Sequence, residues 1–135
     1  VLQHPVPPGR VEAHLEFHVG SVDENDRQQG MAHMLEHICF LGSRQRMNLA
    51  SSAGMTSNAL TDFQHTIYHL SVDSGHLRDG LDALKEIGFA PAFATERIEK
   101  ERAAVLSEAQ MVNDCTYRLQ TQILGAVHAE NPIHV

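Results

Sequence analysis

The chain has 135 residues, 42% hydrophobic and 20% charged, which is enough for one globular domain with its own core. A formal charge of −7 argues against a nucleic-acid partner, which demands a basic surface, and suits a basic peptide. No stretch reads as a membrane span or a secretory leader, and two isolated cysteines, Cys39 and Cys115, do not make a disulfide scaffold.

Residues 1–9, with Pro5, Pro7, Pro8 and Gly9, predict an extended lead-in. From Arg10 to Gly20 apolar Val11, Ala13, Leu15, Phe17 and Val19 alternate with Glu12, His14, Glu16 and His18. That period predicts a half-buried strand, with His14 and His18 on its wet face as solvated residues rather than ligands. Ser21–Gly30 is a polar, acidic connection, whose Asp23, Glu24 and Asp26 are expected to draw a basic substrate. A helix follows over Gln28–Leu41, with Met31, Met34, Leu35, Ile38 and Leu41 as its apolar stripe and Gly42-Ser43 as its stop.

Arg44–Ser52 is polar and reads as loop or a short helix. Gly54–Leu60 predicts a short strand, and Phe63–Val72 a second one with apolar groups on both faces, as in a strand covered on two sides. His65 and His69 stand four apart there, about 13 Å along a strand, too far for one ion. Asp73-Ser74-Gly75 is a turn. The next helix runs from His76 to Phe89, buries Leu77, Leu81, Leu84 and Ile87, and is broken by Pro91. Thr95 is expected to cap a long helix reaching Val127, with Val105, Ala109, Val112, Leu119 and Ile123 on its core side.

The chemistry concentrates in His33-Met34-Leu35-Glu36-His37. On a helix, positions i, i+3 and i+4 share a face, so both imidazoles can reach one ion with the carboxylate beside them. Zinc in a catalytic site takes three protein ligands and one water, and a nearby glutamate can take that water's proton. The order His-x-x-Glu-His is the inverse of the more familiar zinc-protease motif and predicts metal-assisted hydrolysis. The alternative is a pair of ordinary helix histidines. A third ligand is needed, and the last helix offers Glu96, Glu99, Glu101 and Glu108. Glu101 and Glu108 are two turns apart and share a face, yet spacing alone leaves a ligand and a solvated acid equally open.

Gly20, nine residues, and then Gly30-Met31-Ala32-His33-Met34-Leu35-Glu36-His37-Ile38-Cys39-Phe40-Leu41-Gly42-Ser43 resembles the zinc signature of the insulinase/pitrilysin metallopeptidases. Glu101–Glu108 resembles the family's Glu-Arg…Glu segment, and Asn58-Ala59-Leu60-Thr61 its peptide-pairing strand. Pro7–Glu16, Gly20–Glu24 and Ser57–Thr66 resemble the branch of that family that processes precursors in plastids. The resemblance implies an α+β fold, a sheet with helices packed on one face. It implies His33, His37 and Glu108 as ligands of one Zn2+, Glu36 as general base, and Glu101 as a supporting acid that orients a ligand histidine. It implies that Asn58 and Ala59 contact an added substrate strand.

Residues 1–135 are then expected to be an N-terminal catalytic peptidase domain, truncated at its C-terminal end. The expected activity is endoproteolytic removal of transit peptides in the chloroplast stroma, with precursor proteins or basic peptides as substrate and the missing C-terminal half of the same protein as partner. Manganese or cobalt could occupy the same ligands. Three other readings stay open. One is a non-catalytic scaffold or peptide-binding subunit, against which the intact Glu36 speaks. Another is a bacterial-type oligopeptide-degrading relative. The third is a lyase sharing the motif, which would want a cysteine ligand in a context that Asn113-Asp114-Cys115-Thr116 does not offer.

Overall fold

The computed structural model describes residues 9–112 and 115–127. Strand β1 (Arg10–Phe17) leads through a 3-10 turn at Ser21–Asp23 to helix α1 (Met31–Gly42) and helix α2 (Arg44–Ser52). A hairpin of β2 (Thr56–Thr61) and β3 (Thr66–Asp73) precedes helix α3 (Leu77–Phe89). Helices α4 (Thr95–Val112) and α5 (Cys115–Val127) follow. The expected lead-in over residues 1–8 lies outside the described residues. So do residues 113 and 114, on which the continuity of the expected single long helix depends.

The sheet is antiparallel in the order β1-β3-β2. β3 is central, and its Tyr68, Leu70 and Val72 are buried against Ala83, Leu84 and Ile87 of α3, Leu49 of α2 and Met55. Ala13, Leu15 and Phe17 of β1 and Cys39 and Phe40 of α1 pack onto the same cluster. The architecture is therefore α+β, with helices on one face of a small sheet. β1 alternates between half-buried and exposed residues as its pattern predicts.

Several local expectations shift. β3 begins at Thr66 and not at Phe63, because Asp62 Oδ1 accepts the backbone N–H of Gln64 at 2.8 Å and of His65 at 2.7 Å. That short-range bonding builds the hairpin loop in place of more ladder. β3 is buried on the Thr66, Tyr68, Leu70 and Val72 face only; Ile67, His69 and Ser71 are half-buried. Arg44–Ser52 is helical, started by Ser43, whose Oγ accepts from Arg46 N and donates to the Glu86 carboxylate.

In α3 the buried residues are Gly80, Ala83, Leu84 and Ile87, while Leu81 is exposed. The helix lies so close to β3 that a Cβ at Gly80 would stand 3.0 Å from Leu70 Cδ1, so small residues replace a leucine on that line. Thr95 lies inside α4, since Ala94 O accepts the first helical bond from Ile98 N. Ala109, Val112, Leu119 and Ile123 are exposed and Val105 half-buried; α4 meets α1 through its polar residues Arg97, Glu101 and Glu108.

Candidate metal centre

α1 carries the motif on a face different from its expected stripe. Met31 and Leu35 are exposed, and Ala32, Glu36 and Ile38 are buried. The helix is entered through Gly30 in the left-handed region (φ 82°). Glu24 secures that start: its carboxylate accepts from Gly30 N at 2.7 Å and from Ala32 N at 2.6 Å. An anion at a helix N-terminus meets both unpaired N–H groups and the positive end of the dipole. Glu24 is thus buried as a cap, its carboxylate taken up by two backbone donors. At the far end, Arg97 of α4 donates to Leu41 O at 2.9 Å, which fixes α4 against α1.

This docking brings together residues far apart in the chain. His33 Nε2 and His37 Nε2 are 3.2 Å apart, and Glu108 Oε2 is 3.5 Å from each. For tetrahedral zinc with bonds near 2.0–2.1 Å, ligand atoms stand about 3.3 Å apart. Two neutral imidazoles in this pose can share only one proton, whereas a divalent ion satisfies both lone pairs and the carboxylate. The donor set therefore fits a zinc-like ion. His37 Nδ1 is buried without a hydrogen bond of good geometry, 3.5 Å from Glu101 Oε2. Glu101 is itself buried, 3.9 Å from Arg97.

Glu36 Oε2 stands 4.0 Å from His33 Nε2 and accepts from Thr61 Oγ1 at 3.2 Å. Burial pushes its carboxyl above the ordinary carboxylate value; the His33 and His37 imidazoles and the Thr61 hydroxyl oppose this. Sequence reasoning did not assign this contact of Thr61, which stands at the end of β2 beside the motif helix. Asn58, Ala59, Leu60 and Thr61 line one cleft of about 410 Å3 with His33, Glu36, His37 and Glu108. β2 is bonded to β3 on one side, and its other edge pairs with no strand among the described residues.

The family model for insulinase (peptidase family M16) matches residues 1–133, and the chain belongs to that family. It is 48% identical over 141 residues to the chloroplastic stromal processing peptidase of Arabidopsis thaliana and 51% identical over 139 residues to that of Pisum sativum. Each alignment covers 98% of this chain and 11% of the relative, so the chain spans about a tenth of their length. A probable zinc protease, PqqL, of Haemophilus influenzae is 34% identical over 120 residues, covering 80% of this chain and 13% of that protein. Among solved structures, a protease from Helicobacter pylori superposes with a TM-score of 0.77 at 25% identity, covering 87% of this chain and 30% of that one.

Proposed function

We propose that this chain is the N-terminal, metal-binding part of the catalytic domain of a zinc endopeptidase that removes transit peptides from imported precursors in the chloroplast stroma. The observation that carries the reading is the convergence of His33, His37 and Glu108 within 3.2–3.5 Å, with Glu36 beside them and an open strand edge across the cleft. The stromal peptidase relatives support the substrate class and the location.

Bound zinc supplies Lewis acidity and lowers the pKa of a water. His33, His37 and Glu108 would hold it, and Glu101 would fix the tautomer of His37 through Nδ1. Glu36 takes the proton of the attacking water and returns it to the leaving amine, while Thr61 Oγ1 holds its carboxylate toward the cleft. An extended peptide adds to the free edge of β2, where Asn58 and Ala59 meet it, and its scissile bond then lies over Glu36. The remainder of the protein supplies the other wall of the site.

The test is cleavage of a transit-peptide precursor by the intact protein and by Glu36→Gln. The variant should keep its metal and lose at least about 1,000-fold in kcat, as expected when the proton acceptor is gone. Undiminished cleavage by Glu36→Gln would remove it as the base. Cleavage of short peptides with no action on precursors would favour an oligopeptide-degrading role. The net charge of −7 predicts that KM for basic precursors rises with ionic strength.

A further inference from the structure

On the sheet face opposite the core, a second group of donors converges. Glu16 ends the exposed line of β1, His18 follows two residues on, and His65 closes the β2–β3 loop. One ligand atom from each lies within 4.8 Å of the others. His65 Nε2 is 3.7 Å from Glu16 Oε1, and the His18 and His65 rings meet edge to face with centroids 5.2 Å apart.

His65 is also oriented from behind. Its Nδ1 lies 3.4 Å from Asp62 Oδ1, and Asp62 is locked by the backbone N–H groups of Gln64 and His65. A carboxylate on one ring nitrogen places the proton there and turns the lone pair of the other outward. Here that lone pair faces the Glu16 carboxylate and His18. A proton on Nε2 would satisfy one of these contacts; a divalent ion would bind both partners and His65 together.

We propose that Glu16, His18 and His65 form a second site for a zinc-class divalent cation, oriented by Asp62 and separate from the His33–His37–Glu108 centre. Glu16 Oε1 and His65 Nε2, at 3.7 Å, already stand near the tetrahedral spacing of about 3.3 Å. The ion would clasp the end of β1 to the hairpin loop. The same two segments are joined one residue further on, where Thr66 Oγ1 donates to Val19 O at 2.9 Å.

The test is metal stoichiometry of the intact protein after equilibration with buffered zinc, beside the double variant His18→Ala/His65→Ala. The double variant should bind one equivalent fewer, whatever the parent total, and should keep its circular dichroism spectrum. Asp62→Asn retains an acceptor for the two backbone bonds and removes the charge; it should weaken this equivalent about 10- to 100-fold. The same difference is expected in a His33→Ala/His37→Ala background, which separates this site from the proposed catalytic one. Equal zinc in parent and double variant would overturn the proposal. Unaltered affinity in Asp62→Asn would overturn the orienting role.

Discussion

Glu101 Oε2 lies 3.5 Å from His37 Nδ1, behind the ring whose Nε2 faces Glu108. Glu101 is 3% exposed and is the one buried residue of α4. Glu101→Gln keeps the shape and removes the charge that favours the Nδ1–H tautomer. Zinc affinity, measured by competition with a chelator, should fall about 10- to 100-fold with the fold intact. Unaltered affinity would assign Glu101 to its contact with Arg97 alone.

Thr61 Oγ1 donates to Glu36 Oε2 at 3.2 Å, and Glu36 is the proposed proton acceptor. Thr61→Val removes the donor at nearly constant volume. Losing one hydrogen bond to a charged group costs about 1.5–3 kcal/mol. The expected outcome is a kcat lower by roughly 10- to 100-fold with zinc content unaltered. Loss of zinc along with kcat would mean that Thr61 supports the metal site and not the base.

Gly20 is required by contact, not by its backbone angles. Its φ of −153° is open to any residue, but a Cβ would sit 2.4 Å from Asp62 O and from the Phe63 carbonyl carbon. Both are backbone atoms of the loop that Ser21 N and Val22 N bind at 3.3 and 3.0 Å. Gly20→Ala should therefore destabilise by about 1–3 kcal/mol in urea unfolding. Gly75→Ala, where nothing lies within 4 Å, should stay within about 0.5 kcal/mol.

The two thiols should differ in reactivity. Cys39 is half-buried against the core, and burial pushes its thiol above the ordinary value, whereas Cys115 is exposed. Brief iodoacetamide treatment near neutral pH should label Cys115 first, read by peptide mass mapping. Faster labelling of Cys39 would mean that α1 leaves the sheet readily.

Periodicity exposed most of the fold, and its failures have local causes. β1 was legible because one face is solvated, which leaves a clean alternation. The stripe of α1 was legible in part: Ile38 is buried and Met34 and Leu41 half-buried, but the helix buries Glu36 toward Thr61 and leaves Met31 and Leu35 outside. A buried carboxylate at the candidate site departs from the hydrophobic pattern, as functional positions are expected to do. Leu81 was misplaced because the close approach of α3 at Gly80 cannot be read from hydropathy.

At the candidate site, His33, Glu36 and His37 follow from helical spacing, and the structure gathers them on one face. Spacing could not choose between Glu101 and Glu108, since both lie on one side of α4. The choice depends on the docking of α4, which sets Glu108 toward both Nε2 atoms and Glu101 toward Nδ1. The capping role of Glu24 was hidden for the same reason. A carboxylate in an acidic loop looks like surface charge until the helix it closes is in place.

The attachment of α4 has a consequence for local opening. Its buried residue is an acid, and Leu106, Met111 and Val112 are exposed, so little apolar burial holds it to α1. The β3–α3 core, by contrast, is held by Leu70, Val72, Ala83 and Ile87. The two are therefore expected to open with different cooperativity. An ion shared by α1 and α4 would link them across roughly seventy residues of chain, and its removal would free α4 first. Amide exchange along α4 would then report metal occupancy, while exchange in β3 would report the global stability of the domain.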